Sequence, residues 1–170
     1  TVDLNNPIIV DSGDLKIKAF KVIHDPIVPS LGFKFEYKGR SLVISGDTSY
    51  AQSIIDSSMN VDVLFHEAQA NHMVEVIENF SKENGAMLRA KVMADIKTYH
   101  TTLIEASEIA NKAQVKQLVF YHLTPAPRNY ITELIFVRGV DEVRKDWVLA
   151  EDGMLVVLPV DSEEVIFTNM

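Results

Sequence analysis

Cysteine is absent from the 170 residues, which excludes disulfides and thiolate metal ligands and leaves the redox compartment unreadable from this residue type. Any metal would have to be held by His, Asp and Glu. Basic residues are the scarcer charge, with 16 Lys and Arg against 24 Asp and Glu and a formal net charge of −8. This balance leaves no broad basic surface for nucleic-acid phosphates, so nucleic-acid binding would need a local patch. Long apolar runs are also missing, since none approaches the ~20 residues of a membrane span. The opening stretch TVDLNNPIIVDSGD lacks the basic start and apolar core of a signal peptide. A soluble chain with no membrane partner is expected, in the cytoplasm or the periplasm. The chain opens on Thr1 instead of Met and runs directly into strand-like sequence, so an upstream portion is expected to have been cleaved or left out.

What is present suits a single domain with a sizeable core, because 47% of the residues are hydrophobic. LKIKAFKVI (15–23) alternates apolar and polar, as a half-buried strand does. FKFEY and SLVIS flank the turn KGR and predict a hairpin ending at Gly46-Asp47-Thr48. A short helix is expected over 49–58, VDVLFHE reads as a buried strand, and 70–93 reads as mostly helical with a break near Asn84-Gly85. In HTTLIEASEIANKAQV, Thr102 and Glu105 have capping-box spacing ahead of an apolar stripe, and the strand QLVFYH follows. The loop LTPAPRNY leads into a helix at about 129–138, and DWVLA and MLVVLPV read as two strands joined by the turn EDG. Strands alternating with helices in the middle, with hairpins at both ends, predict an α/β (α+β) fold with a mixed sheet covered by helices.

Four of these strands finish on a residue able to bind metal or move protons. They end on His24, on Asp47, on His66 with Glu67, and on His122. In α/β sheets, ligands gather beyond the carboxyl ends of strands, so residues far apart in sequence can converge there. Imidazole and carboxylate together suit zinc, and also iron or manganese. Each residue also has a plainer reading. His24 can be a strand-end histidine bonded to backbone, Asp47 can be a helix N-cap, and Glu67 can be a solvated charge. His100 can simply flank a helix start, and His72 has no context that points to chemistry.

Taken in order, the motifs resemble the second half of the metallo-β-lactamase fold superfamily, in the branch of ribonuclease Z and arylsulfatase-like hydrolases. The resemblance is carried by HDPIVPSLGFKFEYKGRSLVISGDTS, DVLFHEA, YHTTLIEASEIANKA and VKQLVFYHLTP, and runs from about residue 15 to residue 125. It implies an αβ/βα sandwich of which this chain supplies about half. It further implies that His24 binds the first metal, Asp47 bridges two metals and His122 binds the second, with two zinc ions expected and manganese or iron as alternatives. His100 and Glu67 are implied as a proton-delivery pair, with His66 in a supporting place. A two-metal site of this kind polarises substrate and lowers the pKa of a bound water to about 7.

The family's first motif, His-x-His-x-Asp-His, does not occur in the chain. The chain is therefore expected to be the C-terminal portion of a longer hydrolase, inactive alone, and to associate with the remaining half or with another copy. Residues 70–99 hold Lys82, Arg89, Lys91 and Lys97 against Glu75, Glu78, Glu83 and Asp95, which makes no phosphate-binding patch. The apolar residues of that segment can form a helical lid or a core-packing face. The sequence thus favours a small ester, sulfate ester or phosphodiester as substrate. Transfer-RNA processing of the ribonuclease Z kind is the alternative enzyme, and an inactive interaction domain is the alternative outside catalysis.

Overall fold

The computed structural model describes residues 7–169. A seven-stranded sheet runs in chain order through β1 (Ile8–Ser12), β2 (Leu15–His24), β3 (Ile27–Tyr37), β4 (Arg40–Ile44), β5 (Val63–Gln69), β6 (Gln117–Thr124) and β7 (Trp147–Leu149). The first four strands form an antiparallel meander and the last four pair in parallel, so the sheet is mixed. The KGR turn closes the β3–β4 hairpin in two residues, with Tyr37 opposite Arg40 and with Lys38 and Gly39 both at positive φ. That geometry is the tight hairpin expected between short alternating strands.

The helices are α1 (Gln52–Ser58), α2 (Asn71–Glu83), α3 (Met87–Ile96), α4 (Leu103–Lys112), α5 (Tyr130–Phe136) and the short α6 (Val140–Val143). The expected break falls between α2 and α3, at Gly85 with φ of 72°. The expected capping box is formed, since Thr102 Oγ1 accepts from the Glu105 N–H and Glu105 accepts from the Thr102 N–H. One face of the sheet, through Val22, Val43, Leu64, Leu118 and Phe120, packs against Ile54 of α1, Ala106 and Ile109 of α4, Phe136 and Val140. Leu64, Leu118, Ile54 and Ile109 are wholly buried, and each such side chain contributes roughly 1.5–3 kcal/mol of transfer free energy. β5 is buried along nearly its whole length because β4 and β6 flank it, as a central parallel strand should be.

One expectation is corrected at the tail. DWVLA and MLVVLPV both form strands, but they do not pair with each other. β7 extends the main sheet beside β6, where Trp147 and Leu149 pack on the core and the Trp147 ring lies 5.9 Å from that of Phe120. β8 (Met154–Val157) instead pairs antiparallel with β9 (Ile166–Asn169), a strand that the sequence pattern did not reveal. The apolar residues of β7 find more burial beside β6 than a two-stranded ribbon would offer. Among the described residues, no helix is long and apolar enough to cross a membrane.

Candidate functional site

β2 and β4 both run antiparallel to β3, and β5 and β6 run parallel to β4. The carboxyl ends of β2, β4, β5 and β6 therefore share one edge of the sheet. His24 ends β2, Asp47 follows β4, Glu67 lies near the end of β5 and His122 near the end of β6, while His100 stands just before α4. The five residues singled out from sequence are brought together there. The His24 and His100 rings lie 5.1 Å apart, the His100 and His122 rings 5.9 Å apart, and His122 Nε2 lies 3.5 Å from Asp47 Oδ2.

Local irregularities aim these side chains. His122 sits opposite a register shift in the β5–β6 pairing, between Tyr121 and Leu123, which pair with Glu67 and Ala68. Its φ is 47°. This is the left-handed region that non-glycine residues occupy only where surrounding structure holds them, and a bulge of this kind re-aims one side chain. A second register shift precedes His24 in the β2–β3 pairing. Ahead of Asp47, Gly46 has φ of 67°, and a Cβ there would lie 2.5 Å from the Leu31 carbonyl oxygen. Only glycine lets the Asp47 loop pass so close to β3.

Burial divides the site in two. Glu67 is fully buried and accepts from His100 Nδ1 at 2.9 Å, from the Thr48 N–H at 2.9 Å and from the Thr101 N–H at 3.3 Å. Among the described residues, its other carboxylate oxygen has no partner. Burial pulls the His100 pKa down, but the hydrogen bond and charge of Glu67, with the more distant Asp47, outweigh it and the net shift is upward. The Asp47 and His122 side chains are 40% and 48% exposed, open enough to meet a ligand from solvent.

The donor set suits a metal. His24 Nδ1 lies 2.9 Å from the Tyr99 carbonyl, so the Nδ1–H tautomer donates there and leaves the Nε2 lone pair free, the arrangement that metal-binding histidines adopt. Imidazoles with one carboxylate are zinc-type ligands. Among the described residues, no three His, Asp or Glu side chains stand close enough to hold an ion by themselves. His24, Asp47 and His122 would be contributors to a larger ligand set.

His66 turns to the other side of β5 from Glu67, fully buried, with Nδ1 bonded to the Glu67 carbonyl at 2.7 Å. Burial pushes its pKa down, so it serves as a neutral core imidazole. His72 bonds the Ile135 carbonyl at 2.7 Å and ties α2 to α5. Sequence reasoning missed Tyr99, whose carbonyl holds His24 and whose ring lies 5.0 Å from that of His24 and 5.1 Å from that of His100. It also missed Thr48 and Thr101, neither of which carries a metal-binding or proton-moving group.

Residues 1–123 match the family model described as "Beta-lactamase superfamily domain". The matched segment contains His24, Asp47, Glu67, His100 and His122. A curated relative, the putative ribonuclease Z of Mycobacterium tuberculosis (strain CDC 1551 / Oshkosh), is 30% identical over 116 residues, covering 68% of this chain and 47% of the relative. The ribonuclease Z of Anoxybacillus flavithermus is 33% identical over 87 residues, covering 51% of this chain and 22% of that protein. The chain thus spans less than half the length of these curated relatives. Among solved structures, the short form of human tRNase Z superposes with a TM-score of 0.59 at 23% identity, over 94% of this chain and 50% of that one. The metallo-beta-lactamase fold protein YhfI of Bacillus subtilis gives 0.56 at 21% identity, over 82% and 48%. Both likenesses establish the fold.

Proposed function

The chain belongs to the beta-lactamase superfamily domain family, and on that premise we propose that it forms part of a metal-dependent phosphodiesterase of the ribonuclease Z type. The observation that carries the reading is the convergence of His24, Asp47, His122 and the His100–Glu67 pair on one sheet edge, within the family-matched segment. In this reading His24, Asp47 and His122 help to hold two zinc-type ions. When bound, such ions supply Lewis acidity and an activated water.

The chain's own residues supply the proton. Glu67, fixed by two backbone N–H groups, receives the His100 Nδ1–H and orients the ring. His100 Nε2 then carries the proton that the leaving oxygen needs as its bond to phosphorus breaks. Tyr99 keeps His24 in the tautomer whose Nε2 faces a ligand. The curated relatives bear the name ribonuclease Z and a fold neighbour the name tRNase Z, and these names support RNA, and within it transfer RNA, as the substrate.

A small ester, sulfate ester or phosphodiester is the second reading, and two observations favour it. A cavity of 470 Å³ beside His122 is lined by the carboxylates of Glu133, Glu151 and Asp152, which repel a phosphate backbone. The lysines Lys82, Lys91 and Lys97 of the α2–α3 region are already paired with Glu78 and Asp95. Assay of the full-length, zinc-loaded protein on a transfer-RNA precursor and on bis(p-nitrophenyl) phosphate separates the readings. Cleavage of the precursor supports the first. Turnover of the small diester alone selects the second, and turnover of neither by a zinc-replete, folded protein overturns both.

A further inference from the structure

We propose that Thr48, braced by Thr101, is a positioning residue that joins the His24, Asp47 and His100 segments into one unit. Thr48 follows Asp47 directly and is wholly buried, as is Thr101, which follows His100. Every polar atom of Thr48 is committed to another segment or to its own loop. Its N–H donates to Glu67 Oε1 at 2.9 Å. Its Oγ1 accepts from the N–H of Ile23, the residue before His24, at 3.2 Å, and donates to the Ser49 carbonyl at 2.7 Å. Its carbonyl accepts from Thr101 Oγ1 at 2.5 Å. The Ser49 N–H completes the tie by donating to the Ile23 carbonyl at 2.7 Å.

These partners lie 19, 25 and 53 positions away in the chain. Local sequence cannot hold such segments together, and buried donors left unpaired carry a desolvation penalty, so the segments are stable only in the joint arrangement. Thr48 is wholly buried and acts through the residues beside it. Its hydroxyl is the specific requirement: valine keeps the shape and leaves the Ile23 N–H without its acceptor, whereas serine keeps the bond. The consequence for metal binding rests on the reading in the preceding subsection, while the coupling of the three segments does not.

The test uses the full-length protein. In metal-free hydrogen exchange read by mass spectrometry, Thr48→Val should speed exchange together in peptides covering 20–26, 45–50 and 98–103, by roughly tenfold, the effect of losing the part-buried bond from the Ile23 N–H. Thr48→Ser should restore slow exchange. Ile109→Val, which trims the core under α4, should not speed those three peptides selectively. Zinc titration should show Thr48→Val weaker by about tenfold, as for other residues that orient metal ligands, with Thr48→Ser near wild type. Faster exchange confined to 45–50, or equal behaviour of the valine and serine variants, overturns the proposal. If Thr48→Val does not fold, Thr101→Val removes only the bond to the Thr48 carbonyl and should loosen 45–50 and 98–103 together. A folded wild type that binds no zinc overturns the metal reading, and the exchange pattern still decides the coupling.

Discussion

At the amino ends of β4, β5 and β6 stand Arg40, Asp62 and Lys116, and at the carboxyl ends of the same strands stand Asp47, Glu67 and His122. The amino-end cluster is closed on itself. Arg40 pairs with Asp62 at 3.2 Å and donates to the carbonyls of Pro159, Ser162 and Glu164, while Lys116 bridges Asp62 and Glu163. The carboxyl-end cluster spends its hydrogen bonds on orienting Glu67 and His100 and leaves the Asp47 and His122 side chains half-exposed. The first arrangement clamps the C-terminal segment to the sheet, and the second leaves capacity for a ligand. Buried charge at one edge therefore serves stability, and at the other, in the function proposed above, it serves chemistry.

Substitutions should break the comparison in opposite ways. The largest effect is expected from His100→Ala, which removes the proposed proton donor and should lower kcat of the full-length protein by about 10²–10⁴-fold. Loss of the partner of the buried Glu67 should also lower the melting temperature, so kcat is read on the folded fraction, and kcat retained within threefold there would remove His100 from the mechanism. Next comes Arg40→Ala, which takes one of three partners from Asp62, the Ser41 N–H and Lys116 remaining, and frees three C-terminal carbonyls; it should cost about 1–3 kcal/mol of stability, measured by chemical denaturation. Specific activity of the folded fraction should be unchanged, because the clamp lies at the far edge from the site.

Gly46→Ala should fall between the two regions in kind. It forces an alanine into the left-handed region against the Leu31 carbonyl, at a cost of about 1–3 kcal/mol. Unlike Arg40→Ala, it should also weaken zinc binding, because the displaced residue precedes Asp47; calorimetric titration beside thermal melting reads both.

The smallest effect is a pH dependence of the clamp. Burial pushes the Asp62 carboxyl up, but the Ser41 N–H, Arg40 and Lys116 outweigh it and hold the pKa below its ordinary value. A folded pKa below the unfolded one means that the contribution is fully present above the ordinary Asp value of about 3.9, and is lost as pH falls through the folded value. The melting-temperature gap between wild type and Asp62→Asn should accordingly be constant near neutrality and shrink in that acidic window. A gap that stays the same down to pH 3 would show that the charge of Asp62 contributes nothing.

Much of the site edge was legible from the chain because strand ends announce themselves. The alternation of LKIKAFKVI stops at His24, and the apolar run of QLVFYH stops at His122. Parallel pairing then carries those ends to one edge. The β7 and β8 partnering was not legible, because two adjacent strands with a turn between them look alike whether they pair together or separately. The clamp was hidden for a related reason: Arg40 reads as a turn residue in KGR, and its partners lie 119 to 124 positions later.

The sequence by itself determined which residues could bind metal or carry a proton, where helices start and break, and that one face of each strand must be buried. These properties follow from composition, periodicity and capping, all of them local. Tertiary structure alone decided that Thr48 and Thr101 bind the site segments together, that Tyr99 orients His24, and that His66 faces away from Glu67. Each of these depends on hydrogen bonds between segments distant in sequence, and whether a polar group is satisfied or left free for chemistry is settled only when burial has removed water as its partner.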